Sequence, residues 1–336
     1  MDLTITAADD FHVHLRNDAR TQTAILATRH GGSARVLAMP NTRPPVTDGR
    51  QAAAYRESLQ EQGADFTVLT TVKLTQTTRP EDIEDAARAG VTAVKQYPLG
   101  VTTHSEDGIR DPRALFPIYE LIRDRNMVLS LHGEVPDVFV MDAEEAFLES
   151  LVEIHRNFPD LKIVLEHITT AAAVEAVRAM PQQVAATITD HHLCLTLDDV
   201  VGRGKIQPHH FCMPIAKRPG DLRALVDVVR EGHPSFFSGT DSAPHLVADK
   251  ESACGCAGIF NAPYHMQVLA TLFDRWGCLT RLEAFTSRFG ADFYGLHRNR
   301  QKIALLRKNH EVPSRFGPLV PFWAGKPLAF DLEWIG

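Results

Sequence analysis

The chain has 336 residues, 44% of them hydrophobic, and its 35 basic and 42 acidic side chains give a net charge of −7. This length suits one large α/β domain or two ordinary domains. No basic block and no apolar run of the ~20 residues needed to cross a bilayer is present, so nucleic-acid and membrane partners are disfavoured. The first residues predict no signal peptide, and the five cysteines lack paired CxxC spacing, so we expect a cytoplasmic protein with reduced thiols.

Short apolar, β-rich runs alternate with helix-like segments along the chain. Asp111-Pro112 predicts the start of a helix, and Gly63, Gly90 and Gly232 stand where helices are expected to end. The eight predicted strands end near Leu15, Met39, Val72, Tyr97, His132, His167, Ile188 and Thr240.

Eight strand–helix repeats predict a parallel sheet that closes into a (β/α)8 TIM barrel. A doubly wound open sheet is the alternative, and it is disfavoured because no glycine-rich phosphate turn follows the first strand. We expect residues 1–336 to form a single barrel domain, with a C-terminal extension from about residue 302.

The first predicted strand carries two histidines and an arginine. Apolar residues alternate with His12, His14 and Arg16, so a period of two places these three side chains on one face. Two neutral imidazoles spaced in this way can bind one cation, and a nearby guanidinium can hold an anionic ligand. A His-x-His pair alone is a weak signal, because most such pairs in a histidine-rich protein are incidental.

Further polar side chains stand at the ends of later strands, where (β/α)8 barrels carry their catalytic residues. In chain order they are Asn41, Lys95, His132, His167 and Asp241. Either later histidine, taken alone, is better explained as a hydrogen-bonded core residue. Their convergence on one rim with His12 and His14 predicts a binuclear metal centre at the C-terminal face of the barrel.

Lys95 needs a separate explanation, because an ammonium group with a pKa of ~10.4 would repel metal ions. Its plain structural role is a salt bridge to Asp241 or Glu134. The chemical alternative is addition of CO2 to the neutral amine, which produces an N-carboxylate able to bridge two divalent ions. A centre of this kind makes a hydrolytic nucleophile from water at neutral pH.

Longer motifs extend this pattern: DFHVHLR (10–16), MPNTRPPVT (39–47), VKQYPLGVTT (94–103), LHGE (131–134), EHITT (166–170), AATITDHHL (185–193), GTDSAPH (239–245) and CGCAG (254–258). Through them the chain resembles the dihydroorotases of the amidohydrolase superfamily, of the monofunctional bacterial and yeast type, over nearly its whole length. The HxH pair and the final aspartate are shared across many amidohydrolases, whereas MPN-x-x-PPVT, YP-x-x-x-TT and GTDSAPH are far more specific.

The resemblance implies a centre of two zinc ions bridged by a carboxylated Lys95 (N6-carboxylysine). The remaining ligands that it implies are His12, His14 and Asp241 for one ion, and His132 and His167 for the other. Asp241 would also act as the catalytic base and then as the acid, moving a proton from the attacking hydroxide to the ring nitrogen. A homodimer is expected by the same analogy.

For the substrate, the resemblance implies a clamp on an α-carboxylate and a backbone contact to a pyrimidine ring. The residues of the clamp would be Arg16, Asn41, His245 and the backbone around Ala257, and the ring contact would be made at Met213. Bacterial members carry leucine at the Met213 position, a departure that a main-chain contact tolerates. Thr102 and Thr103 would belong to a loop, residues 99–108, that closes over the substrate.

The implied reaction is the reversible hydrolysis of (S)-dihydroorotate to N-carbamoyl-L-aspartate in pyrimidine biosynthesis. Two alternatives remain: another cyclic amidohydrolase, of hydantoinase or allantoinase type, and a non-catalytic barrel that serves as a scaffold. The carboxylate clamp argues against the first because hydantoins lack that group, and the complete set of ligands argues against the second. No role is predicted for His104, His191, His192, His209, His210 and His265, while Cys254 and Cys256 are expected to shape a tight turn rather than bind metal.

Overall fold

The computed structural model describes residues 2–101, 105–202 and 204–335. The strands in these ranges, numbered in chain order, are β1 (Leu3–Thr6), β2 (Ala8–Val13), β3 (Ser33–Ala38), β4 (Thr67–Leu74), β5 (Ala93–Gln96), β6 (Val128–His132), β7 (Ile163–Glu166), β8 (Val184–Ile188), β9 (Val201–Gly202), β10 (Lys205–Ile206), β11 (Phe236–Ser238), β12 (Lys302–Glu311) and β13 (Pro327–Ile335). The α-helices are α1 (Thr21–His30), α2 (Gly49–Glu61), α3 (Pro80–Arg88), α4 (Phe116–Asp124), α5 (Ala143–Asn157), α6 (Ala171–Ala179), α7 (Pro219–Glu231), α8 (Val247–Lys250), α9 (His265–Arg275) and α10 (Phe289–Tyr294).

Eight parallel strands form the main sheet, in the order β11-β8-β7-β6-β5-β4-β3-β2. The two outer strands of that order meet just past their ends. Val13 and Ser242 form a parallel bridge, and the amide of Asp241 donates to the carbonyl of His12 at 2.8 Å. The amide of His14 donates to the carbonyl of Ser242 at 3.0 Å. The sheet therefore closes, and the predicted (β/α)8 barrel is confirmed over the open-sheet alternative.

The boundaries of several helices agree with the start and end signals predicted from the sequence. The Asp111 side chain accepts a hydrogen bond from the amide of Arg113 at the start of the turn that leads into α4. Gly63 and Gly90 follow α2 and α3 by two residues, and Gly232 follows α7 directly. All three glycines have positive φ, at 99°, 73° and 75°, which a residue with a Cβ adopts at a cost.

An apolar layer fills the barrel below the C-terminal rim. Its members come from successive strands and from α10, and the largest are Phe11, Phe237, Phe289 and Tyr294. Phe11 and Tyr294 stack with ring centroids 4.6 Å apart, and a Cβ at Gly290 would lie 2.3 Å from the Phe11 ring. This close approach lets α10 cover the lower end of the barrel, so a polar site can open only at the other end.

From Lys302, where the sequence predicts an extension, the chain forms β12 and β13. Together with β1 these strands make a three-stranded antiparallel sheet in the order β1-β12-β13. The guanidinium of Arg29, at the end of α1, lies 3.3 Å from the ring centroid of Trp334, whose indole donates to the Arg29 carbonyl. Within the described ranges, every helix is too short or too polar to pass through a membrane.

Candidate active site

A narrow pocket opens at the C-terminal rim of the barrel. The predicted site residues that line it are His12, His14, Arg16, Asn41, His132, His167, Met213, Asp241 and Ala257. Three further residues line the pocket without a role predicted from the sequence: Tyr97, Ala243 and Gly258. Lys95 lies fully buried within the barrel, and His245 lines a wider outer cleft of about 740 Å³ that shares Arg16 and Asn41 with the pocket.

His14 and Asp241 face each other in an arrangement that suits a cation. His14 Nδ1 donates to Asn41 Oδ1 at 2.7 Å, so its Nε2 presents a lone pair, and that nitrogen lies 3.0 Å from Asp241 Oδ1. Burial lowers the pKa of His14 to about 4, which keeps the ring neutral. A lone pair and a carboxylate oxygen at this distance form a donor set that a divalent ion would hold together. The outer hydrogen bond of the ligand is supplied by Asn41.

His12 stands between two carboxylates. Its Nε2 lies 3.2 Å from Asp241 Oδ1, and its Nδ1 lies 3.3 Å from Glu166 Oε1. Burial alone would lower the pKa of His12, but the charges of Glu166 and Asp241 outweigh it and raise the pKa to about 9. Burial would also raise the pKa of Asp241, yet His12 holds it well below the usual aspartate value, so this carboxylate is ionised.

The second histidine pair lies beside the first. The ring centroids of His132 and His167 are 4.6 Å apart, and that of His167 is 5.1 Å from that of His12. His132 Nε2 contacts Glu134 Oε2 at 2.6 Å, whereas the buried Nδ1 of His167 has no hydrogen-bond partner among the described residues. Burial keeps the pKa of His167 well below its usual value, so a neutral ring nitrogen remains for a metal ion.

Lys95 is paired with Glu166, and the expectation of a salt bridge to Asp241 or Glu134 is wrong. The two side chains form an ion pair in which both are fully buried. Burial lowers the pKa of Lys95 against the pull of Glu166, while His12 and Lys95 overcome burial to lower the pKa of Glu166 to about 2. The sequence offered a signal for Glu166: it follows Val164 by two in β7, and Val164 points into the barrel.

Three residues of the site have left-handed backbone conformations. The φ angles are 63° at Arg16, 44° at His167 and 48° at Asp241, and each residue follows the end of a barrel strand. Residues with a Cβ occupy this region at a cost that the surrounding structure must support, a feature common at functional sites. Strand β2 ends at Val13, so the predicted alternation does not continue to Arg16. The irregular segment that follows the strand brings the Arg16 side chain to the pocket instead.

Arg16 and His245 contact each other where the outer cleft meets the pocket. Arg16 Nη2 donates to His245 Nε2 at 3.2 Å, which is possible because His245 is neutral. Burial first, and then the charges of Arg16, Lys250 and Arg20, lower the pKa of His245 to about 2. Arg16 keeps its charge, although burial lowers its pKa to about 10. The arrangement suits an anionic group such as a carboxylate.

Thr102, Thr103 and His104, which the sequence analysis named, lie outside the described residues. On either side of them, Val101 and Glu106 line the outer cleft.

The histidines without a predicted role make local contacts. His265 contacts Asp190 at 2.9 Å, and His192 contacts both the Thr189 hydroxyl and the Pro214 carbonyl at 3.0 Å. His209 contacts Glu251 at 3.1 Å, and His210 contacts the carbonyl of Asp199 at 2.9 Å. His191 Nδ1 lies 3.4 Å from Asn261 Nδ2. The Sγ atoms of Cys254 and Cys256 are 3.8 Å apart in a turn where Gly255 and Cys256 both have positive φ.

A closed (β/α)8 barrel that gathers histidines of its first, fifth and sixth strands beside a lysine of the fourth and an aspartate after the eighth is the architecture of the amidohydrolase superfamily. No protein-family model matches the chain. The chain is 44% identical to the dihydroorotase of Azoarcus sp. (strain BH72) over 344 residues, which covers 98% of this chain and 99% of that protein. It is 41% identical to the dihydroorotase of Marinomonas sp. (strain MWYL1), covering 99% of each.

Solved structures agree. The crystal structure of the dihydroorotase from Saccharomyces cerevisiae in complex with 5-fluoroorotic acid matches with a TM-score of 0.94 and 35% identity, covering 99% of this chain and 98% of that one. An L-hydantoinase from Arthrobacter aurescens matches with a TM-score of 0.83 and 17% identity, a likeness of fold alone. The chain belongs to the dihydroorotase family.

Proposed function

We propose that this chain catalyses the reversible hydrolysis of (S)-dihydroorotate to N-carbamoyl-L-aspartate, a step of pyrimidine biosynthesis. The observation that carries the proposal is one pocket in which an ionised aspartate and two neutral histidines, His14 and His167, stand beside the Arg16–His245 pair. Opening a cyclic amide needs a hydrolytic centre, and recognising this substrate needs a cation for its carboxylate. Membership of the dihydroorotase family supports the same reaction.

The residues of the pocket fit two divalent ions, for which we propose zinc. The lone pair of His14 opposite Asp241 and the unpartnered Nδ1 of His167 are the donor atoms that support this proposal among the described residues. His12, His14 and Asp241 would hold one ion, His132 and His167 the other, and a carboxylated Lys95 would bridge them. When bound, such ions would acidify a water molecule and polarise the amide carbonyl.

The chain's own residues would handle the proton and the substrate. Asp241, ionised and facing the pocket, would accept a proton from the attacking water and deliver it to the ring nitrogen as the amide bond breaks. Arg16 would bind the α-carboxylate through its planar pair of donors, with His245 beside it. The other groups that we propose to contact the substrate are Asn41, the main chain at Met213 and Ala257, and the side chains of Thr102 and Thr103.

A turnover assay tests the proposal against its rivals. The purified, zinc-loaded chain is incubated separately with dihydroorotate, hydantoin and allantoin, and its metal content is measured alongside. Turnover of dihydroorotate alone is expected, because the other two rings carry no carboxylate for Arg16 to bind. Preference for hydantoin or allantoin would make this chain a different cyclic amidohydrolase, and a metal-loaded chain inert towards all three would be a scaffold.

We also propose that the chain forms a cytoplasmic homodimer. Light scattering after gel filtration tests the oligomeric state.

A further inference from the structure

Lys250, the last residue of α8, is a buried lysine that has no role in the reaction described above. The residue is 2% exposed. Its ammonium group donates to three main-chain carbonyl oxygens, those of Phe211 at 2.9 Å, Cys256 at 2.7 Å and Gly258 at 2.8 Å. An ammonium group has three N–H donors, so these bonds use all of them.

The three carbonyls belong to two loops that line the pocket. One is the segment 211–214, which contains Met213, and the other is the segment 256–258, which has Ala257 at its centre. Met213, Ala257 and Gly258 all line the pocket, and the amide of Gly258 also donates to the carbonyl of Phe211 at 3.0 Å. Lys250 therefore joins the two main-chain segments on which Met213 and Ala257 stand.

The far end of segment 211–214 is anchored as well. The carbonyl of Pro214 accepts from His192 Nε2 at 3.0 Å and from the Cys212 thiol at 3.4 Å. His192 and Cys212, which with His191 form a cluster of potential metal ligands, thus both direct a donor at one carbonyl. The peptide groups around Met213 are held by Lys250 on one side and by His192 on the other.

The second segment approaches the carboxylate clamp very closely. A Cβ at Gly258, where φ is 151°, would lie 2.9 Å from the His245 ring. The charge of Lys250 also reaches this imidazole, alongside those of Arg16 and Arg20. A displacement of segment 256–258 would therefore move Ala257 and disturb His245 together.

We propose that Lys250 is a positioning residue for the substrate, which sets the main chain at Met213 and Ala257 at the separation that the substrate ring and carboxylate require. This inference rests on the proposed function. Geometry matters here as much as charge, because three carbonyls converge on one nitrogen. The planar donor fork of arginine matches two parallel acceptors, and it cannot direct its N–H groups at three converging ones in the same way.

Steady-state kinetics of the full-length, zinc-loaded chain test the proposal with two variants. Lys250→Met keeps the length of the side chain but removes its charge and donors, and we expect KM for dihydroorotate to rise by about tenfold or more. Lys250→Arg keeps the charge but not the geometry, and we expect a rise of roughly threefold or more. In both variants kcat and the zinc content should stay within about threefold of the parent, because no reacting group is changed.

Lys217→Met is the matched control. Lys217 is also 2% exposed, and its ammonium donates to the carbonyl of Ile215 at 3.1 Å, next to the same segment but away from residues 256–258. Its KM should stay within about twofold of the parent even where its melting temperature falls.

The outcomes separate the proposals. If both Lys250 variants keep the parental KM, or if Lys217→Met raises KM equally, Lys250 has a structural role alone. If Lys250→Met does not fold, the KM of Lys250→Arg decides, because that variant keeps the buried charge satisfied. A parent chain without dihydroorotate turnover would instead overturn the proposed function. Binding of orotate, measured by calorimetry to the same variants, then decides the role of Lys250, with weakened binding expected in both.

Discussion

The ion pair between Lys95 and Glu166 bears on the proposed carboxylation of Lys95. The carboxylate pairs with the Lys95 ammonium and reaches His12 at 3.3 Å, in a place that solvent does not enter. Carboxylation of Lys95 would set two anions side by side there, an arrangement that is unfavourable unless cations balance it. The modification and the metal ions are therefore expected to depend on each other.

Lys95→Ala should lose the binuclear centre and with it the activity, and added short carboxylic acids should restore part of both. Intact-mass measurement of the zinc-loaded parent should show about 44 Da added at Lys95, the mass of one CO2. The added mass should be absent from the variant and should disappear from the parent after chelation. An active, metal-loaded parent with an unmodified Lys95 would rule out the bridging carboxylate.

Asp241→Asn should keep the fold and much of the metal but lose nearly all turnover in both directions, because an amide cannot carry the proton. General acid–base catalysis contributes roughly 10²–10⁴-fold, and the loss should fall in that range. The variant is measured with dihydroorotate and with N-carbamoyl-aspartate. Retention of more than about a tenth of the parental kcat would remove Asp241 from this role.

Arg16→Lys should raise KM strongly while the metal content stays unchanged, since a point charge replaces a planar fork that can hold both oxygens of a carboxylate. Steady-state kinetics with carbamoyl-aspartate and metal analysis of the same sample check this. Arg29→Lys is the control, because the Arg29 guanidinium lies 3.3 Å from the ring centroid of Trp334 and lines neither the pocket nor the outer cleft. Equal KM values for Arg16→Lys and the parent would mean that the carboxylate is held elsewhere.

At the scale of elements, local chemistry predicted where strands and helices stop. Glycines mark the ends of helices α2, α3 and α7 because a positive φ is least costly there. The eight barrel strands were found because strands buried on both faces need runs of apolar residues, whatever their neighbours are. Repetition of such runs between helices was enough to predict the closed barrel.

Contacts between distant parts of the chain determine two features of the site that local sequence patterns do not predict. The left-handed conformations at Arg16 and Asp241 go with the hydrogen bonds that join the first and last strands, which no local pattern encodes. The partner of Lys95 depends on strand register, in which Lys95 stands beside Ser130 and Glu166 beside His132. The proposed metal ligands were chosen from their residue types and positions. Alternation along β7 indicates that Glu166 faces the barrel, but only the register shows that it reaches Lys95.

The loop after β5 is expected to act as a lid over the outer cleft. Changing Thr102 and Thr103 together to alanine should lower kcat as well as raise KM, because closure completes a site and excludes water. Metal content and melting temperature should barely change, since neither threonine is an implied metal ligand. Kinetic parameters within about twofold of the parent would reduce the segment to an ordinary surface loop.

At the scale of the whole molecule, the net charge is negative although several cationic side chains lie beside the pocket. The chain carries a net charge of −7, yet Arg16, Arg20 and Lys250 all act on His245 beside the pocket. Binding of a substrate carboxylate is therefore proposed to depend on the local contact with Arg16 and not on the charge of the protein as a whole.

The residues that close the barrel are also those proposed to hold the metal. The strands β2 and β11 meet through the main chain of His12, Asp241 and their neighbours. Removal of the proposed metal ions by a chelator should therefore speed hydrogen–deuterium exchange at the amides of His14 and Asp241, while exchange at Leu165, in the middle of the sheet, stays slow. Equal acceleration throughout the sheet would mean that the ions stabilise the fold uniformly.

A closed barrel has one place where its first and last strands pair, here β2 and β11. In this protein the reaction is proposed to occur at that same place. Loss of the bound metal is then expected to open the barrel between β2 and β11, in addition to abolishing the activity. The opened edges of β2 and β11 would expose unpaired main-chain groups, which attract other strands. The metal-free protein is therefore expected to be prone to aggregation and proteolysis as well as inactive.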